Sequence, residues 1–367
     1  MYDIDAPVST LLADNPIRLD DGVTLRRLST HTSGLPRMPT NMTPFDPNDP
    51  FAAYSEERLT AYLQDPKMQS EPGTEARYSN LGVGLLGYAL AKQAGMPYED
   101  LLRKRVLAPL GMEGTTVSLR EADQAHMAAP HTGDAEPAHL WTIETLAGAG
   151  GVRSNIRDML TYAAAQLDPD STPLAEAIRL SQSNQNPANK PAKKKPMGLG
   201  WFIVDKGAAL MHGGQTGGFK SGIMISQRKQ FAVVVLSNTS APSVSELGQL
   251  IALLAAGKEV NPKKPRMPAK VDAEILKAYA GRYLALGMLF EIEYADGKLY
   301  AQLNNQPRFR LFPEDDETFR YRVVDASIDF ERDDAGNVSK LTLHQNGRDH
   351  VCVRAADDEA APANNDE

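Results

Sequence analysis

The stretch ARYSNLGVGLLGYALAKQAG, residues 76–95, sets three polar side chains, Tyr78, Ser79 and Asn80, ahead of a long apolar run. From Leu81 to Ala94 the run has no proline and is rich in Leu, Ala and Gly, which predicts a buried helix with Ser79 or Asn80 as its N-cap. Capping plus one wedged tyrosine accounts for the trio. A catalytic base waiting for a nucleophile accounts for it equally well, and the rest of the chain has to choose.

The bulk properties narrow the choice. The chain has 367 residues and a formal net charge of −8. That charge argues against nucleic acid as a partner, because phosphate binding wants a basic face. The single cysteine, Cys352, rules out an internal disulfide. No stretch approaches about 18 consecutive apolar residues, so no transmembrane segment is expected. The N-terminal MYDIDAPVSTLLAD has no signal-peptide core.

Helical spacing recurs in SEERLTAYLQD (55–65), PYEDLLRKRVLAPLGM (97–112), SNIRDMLTYAAAQL (154–167) and TPLAEAIRLSQ (172–182). Residues 197–238 then alternate and are rich in β-branched and aromatic residues. They predict four antiparallel strands broken at DKG, GGQTGG and SQRKQ. SELGQLIALLAAG (245–257) reads as a closing helix. Helices, a meander and a helix predict an α+β layered domain over 1–257. The charged, proline-rich 258–272 reads as a linker. Residues 273–354 hold about eight short strands at regular spacing, the pattern of a small all-β barrel. The acidic tail 355–367 is expected to be disordered.

The second informative stretch is MHGGQTGGFKSG (211–222), in which Gly213, Gly214, Gly217 and Gly218 crowd around His212, Gln215 and Thr216. Glycines in a strand mark bulges or close backbone approach, so a ligand can lie along such an edge. A packed glycine-rich hairpin is the competing explanation.

VTLRRLSTHTSGLP (23–36), YSN (78–80), LAGAGGVRSNIRDML (146–160) and HGGQTGGF (212–219) occur in that order. Together they resemble the serine β-lactamase-like superfamily: class C β-lactamases, low-molecular-weight penicillin-binding proteins of the AmpH type, and related esterases. The resemblance covers residues 1 to about 255 and implies the β-lactamase/transpeptidase-like fold, an antiparallel sheet with a helical region. It also implies an acyl-enzyme reaction on a serine of a Ser-x-x-Lys motif. Carried over, Tyr78 takes the general-base tyrosine role and Asn80 the amide that contacts substrate. His212 stands in the third motif, followed by Gly213 and Gly214, and the Gln215 N–H takes an oxyanion-hole place. The C-terminal strands resemble the lipocalin-like barrels appended to some members, without an assignable ligand.

The chain departs from the pattern at the nucleophile. YDIDAPVSTLLAD (2–14) resembles the stretch that follows Ser-x-x-Lys in the family, so the nucleophile helix is expected upstream of Met1, through a start assigned too late. An export signal is then expected on the longer protein, and a cytoplasmic location if the chain begins at Met1. Ser226-Gln-Arg-Lys229 alone matches Ser-x-x-Lys by spacing, and it reads as a hairpin turn. As given, the chain is expected to be inactive, with exposed apolar surface where that helix would pack.

Expected partners are a cell-wall peptide, a β-lactam or a small ester. The alternative is a pseudoenzyme that binds peptidoglycan-like peptides or a protein partner. No cofactor and no metal is expected, since no His-Glu-x-x-His occurs and His126, His131 and His139 merely lie close in a loop. The basic run NKPAKKKP (189–196) reads as a solvated loop, with an anionic polymer as its minority reading. Trp141 and Trp201 read as core or cleft-wall aromatics, Trp201 being the better cleft candidate.

Overall fold

The helix at the opening stretch runs Asn80–Ala94, and Ser79 is its cap. The Ser79 hydroxyl accepts the Gly82 N–H at 2.8 Å and donates to the Pro36 carbonyl at 2.6 Å, so one side chain caps the helix and pins the 33–37 loop. Gly95, at φ +62°, closes the far end in the left-handed conformation. Leu81, Leu85 and Ala89 are fully buried, spaced four apart along one face. They pack with Leu28 of the Leu25–Ser29 helix and with Leu59 and Leu63 of the Glu56–Leu63 helix.

We describe residues 3–15, 17–186, 196–262, 267–285 and 287–356 of a computed structural model. Most of the basic run at 189–196, the middle of the 258–272 segment and the tail beyond Ala356 lie outside them. Contacts divide the chain into two units. One takes the chain up to Thr132 and Pro137–Val260; the other takes Gly133–Glu136 and the chain from Asn261.

The first unit is α+β. Four antiparallel strands, β1 (Phe202–Val204), β2 (Ala209–Thr216), β3 (Phe219–Ser226) and β4 (Phe231–Ser237), form a sheet in sequence order. One break differs from expectation: Gly213–Thr216 belong to β2, and only Gly217 and Gly218 turn. The register decides this, because Gly213 pairs with Gly222 and Thr216 with Phe219. The Ile156–Leu167 helix and the Ser243–Ala255 helix pack on the sheet. Trp201 is core, buried with Leu210 and Ile225 and stacked on Tyr162 at 6.4 Å between ring centroids, so the cleft expectation for it fails. An indole beside an apolar strand pair gains more from burial than from lining a wet cleft.

Among the described residues β4 pairs only with β3. Ile156 and Leu160 on one flanking helix and Leu247, Ile251 and Leu254 on the other are exposed, as is Leu236 of β4. Isolated apolar residues on a surface are ordinary; two stripes at helical spacing beside an uncharged edge strand are not.

The second unit is a closed barrel of eight strands, β5 (Gly281–Ala285), β6 (Met288–Ala295), β7 (Lys298–Leu303), β8 (Phe309–Pro313), β9 (Thr318–Arg320), β10 (Ala326–Arg332), β11 (Val338–Gln345) and β12 (Arg348–Arg354). The Ala273–Tyr279 helix leads into it. Alternation puts Ile328, Phe330, Leu341, Leu343 and Cys352 inside. Phe330 stacks on Tyr279 at 4.1 Å and meets Phe319 edge-on at 5.5 Å. Side chains thus fill the interior, as an eight-strand barrel permits.

Candidate active site

Three segments far apart in sequence meet around Tyr78. The first is His31-Thr-Ser-Gly-Leu-Pro36, the second Tyr78-Ser-Asn80, the third the pair Phe202 and His212 on β1 and β2. The Tyr78 and His212 rings lie 6.5 Å apart between centroids. Phe202 stacks on both, 6.4 Å from Tyr78 and 5.5 Å from His212. The structure therefore brings together the two residues expected to do chemistry.

His31, to which the sequence alone assigned no role, is the best-anchored member of the group. It is 3% exposed and holds φ +54°, a left-handed conformation that histidine tolerates better than bulkier residues. Its Nδ1 accepts the Ser79 N–H at 3.2 Å, and its carbonyl accepts the Arg77 N–H at 2.8 Å. Its ring leans on Tyr78 at 4.3 Å. The signal was present in the sequence as HTSGLP, but nothing local says that this turn folds against residues 77–79. Phe202 and Arg37 were missed for the same reason. Arg37 sets its guanidinium 5.5 Å from the Tyr78 ring centre.

Electrostatics follow from burial. Desolvation pushes His31 down to about 4, helped by His212. Desolvation also lowers His212. Both imidazoles are therefore neutral at pH 7. Tyr78 is pushed above the usual phenol value by burial, and Arg37 only partly offsets this. A protonated phenol between two neutral imidazoles becomes a base only when further positive charge comes close.

Asn80 keeps its amide beside the Arg37–Met38 loop: its N–H donates to the Arg37 carbonyl at 3.0 Å and its Nδ2 to the Met38 sulfur at 3.5 Å. Gly213, Gly214 and Gln215 are exposed on β2. β1 covers β2 only as far as Met211, so beyond it the outer edge of β2 has no strand partner among the described residues. The two-residue turn closes on the Thr216–Phe219 pair, and hydrogen-bonded pairs alternate from there. Gly213 and Gln215 then fall at positions whose N–H groups point away from β3, towards the open edge.

The glycines of the turn are required by space. A Cβ on Gly217 would sit 2.2 Å from the His139 carbonyl, and Gly218, at φ +73°, lies against Pro130 and His131. Ser226 ends β3 and is buried, with Lys229 in the following turn, where its ammonium donates to the Ala256 carbonyl. That pair is a hairpin feature, as its spacing between apolar runs suggested. His131 bonds to Asn238, and no group of three or more His, Cys, Asp or Glu able to hold a metal occurs among the described residues. Among them, too, no helix is long and apolar enough to cross a membrane.

Comparison with known proteins places the chain in a family. The family model described as Beta-lactamase matches residues 2–257, and the chain belongs to that family. Residues 265–355 match a second family, described as a domain of unknown function (DUF3471). The D-alanyl-D-alanine-carboxypeptidase/endopeptidase AmpH of Escherichia coli K12 is 31% identical over 233 residues, 59% of this chain and 59% of that protein. The chain thus aligns with less than two thirds of that relative's length. Penicillin-binding protein 4* of Bacillus subtilis 168 is 25% identical over 371 residues, covering 91% of this chain and 78% of that one. The solved octameric penicillin-binding protein homologue from Pyrococcus abyssi superposes with a TM-score of 0.57 over 96% of this chain and 83% of its own, at 23% identity, and shares the fold.

Proposed function

We propose that this site belongs to a serine hydrolase that works through an acyl-enzyme on an amide or ester: a D-alanyl peptide of cell wall, a β-lactam or a small ester. The observation that carries the proposal is the Tyr78 phenol of Tyr-Ser-Asn facing His212 of His-Gly-Gly beside an open strand edge. Tyr78 is the base in waiting, Asn80 holds the acyl amide, and His212 with Gly213 and Gly214 forms the wall of the cleft. The Gln215 N–H receives the developing oxyanion; such a donor is typically worth about 10²–10³ in rate.

Turnover needs a serine and a nearby cation to draw the phenol's proton affinity down. The chain's one Ser-x-x-Lys match by spacing is the hairpin at Ser226, so these 367 residues are proposed to bind such substrates without acylating. A relative named for a D-alanyl-D-alanine substrate supports the cell-wall assignment, and with it a place for the working protein on the wall side of the membrane.

The test is Tyr78→Phe. Titration with benzylpenicillin and with a D-alanyl-D-alanine peptide should show reversible binding to the chain, weakened in the variant while its fold is kept. Equal affinity in both would remove Tyr78 from the site.

A further inference from the structure

We infer that His31 is the positioning residue for Tyr78, a neutral imidazole whose bare Nδ1 fixes the 77–79 turn and whose ring backs the phenol; this rests on the hydrolase reading of the site. Three independent contacts run from this one residue into one turn. The carbonyl takes the Arg77 N–H, Nδ1 takes the Ser79 N–H, and the ring covers the side chain between them. Residues 77 and 79 are held from the backbone, so Tyr78 has little freedom except about its own side-chain torsions.

The contact also fixes the tautomer. A neutral imidazole has one donor and one acceptor nitrogen, and Nδ1 accepts here, so the proton sits on Nε2. Protonating Nδ1 would face two N–H groups at each other and release Ser79, whose hydroxyl caps the Asn80–Ala94 helix. The groups that face this imidazole are Tyr78 and His212, with Arg37 beyond the phenol, and none is an anion at neutral pH. Nothing in the pocket invites a charged histidine. The left-handed backbone at His31 aims the ring inwards and is itself a conformation that asparagine adopts readily.

The experiment compares His31→Asn with His31→Gln. An asparagine oxygen stands in for Nδ1, whereas a glutamine oxygen stands in for Nε2. Long-range proton–nitrogen spectra of the labelled wild-type chain should show His31 as the Nε2–H form from pH 5 to 8. The Tyr78 ring resonances, assigned with Tyr78→Phe, should stay near wild type in the asparagine variant and move in the glutamine variant. Benzylpenicillin affinity should fall by less than about threefold with Asn and by at least about tenfold with Gln, roughly 1.4 kcal/mol. A proton on Nδ1, wild-type behaviour of the Gln variant, or equal damage from both in folded protein would overturn the assignment. If the wild-type chain binds neither penicillin nor the D-alanyl peptide, the hydrolase reading fails, and the tautomer and the Tyr78 resonances alone decide the role of His31.

Discussion

Ser79 accepts the Gly82 N–H through its hydroxyl while its own N–H donates to His31 Nδ1, so one serine joins the start of a buried helix to a turn almost fifty residues earlier. Tyr78 is placed between these anchors, which is why a cap and the proposed active-site tyrosine are neighbours in this sequence.

Losing that cap should be costly. Ser79→Ala removes an acceptor from the helix and a donor from the Pro36 carbonyl in a fully buried place. About 1–2 kcal/mol of stability should be lost, read from urea unfolding.

The two units should respond to pH with opposite signs. His31 is held near 4 when folded and near 6.5 when unfolded, so the unfolded chain binds the extra proton between those values. The first unit should therefore lose about 3 kcal/mol as pH falls from above 6.5 to 4, with His212 adding in the same direction. His344 in the barrel is the converse case. Its Nδ1 meets Asp349 at 2.7 Å and its Nε2 meets Asp329 at 3.1 Å, and these carboxylates raise it. Its contribution is present below about 6.5 and fades as pH rises through its folded value; since the group is partly exposed, the effect is modest. Amide hydrogen exchange at pH 5 and pH 8, corrected for intrinsic rates, should show protection moving in opposite directions in the two units.

Gly217→Ala should distort the β2–β3 turn, because the new methyl meets a backbone carbonyl that has no torsion to yield. A loss of about 2–3 kcal/mol is expected from this overpacking. Affinity for benzylpenicillin should fall with it, since the turn sets the course of Gly213–Gln215.

In the barrel, Phe330→Ala should cost about 3–5 kcal/mol. It empties the place where Tyr279, Tyr283 and Phe319 converge. Thermal unfolding of the variant checks this.

Much of this architecture was legible beforehand, for identifiable reasons. The proline-free apolar run from Leu81 to Ala94 announces a buried helix, and the alternation in residues 197–238 announces a meander. Asp296-Gly297 and Asn346-Gly347 both adopt positive φ at the hairpins their composition suggested. Tyr78 and His212 could be paired because each carries a short motif. His31, Arg37 and Phe202 could not, since their roles arise from long-range packing that no local pattern encodes. For Trp201 the sequence left core and cleft wall open, and its neighbours in space, Leu210, Ile225 and Tyr162, decide for core.

The most direct test of the central claim is calorimetric titration of this chain with benzylpenicillin, followed by its intact mass. Saturable, reversible binding with unchanged mass, weakened by Tyr78→Phe, is the expected result. A covalent adduct would contradict the claim that no nucleophile serves the Tyr78 site within these residues, and absence of binding would contradict the site itself.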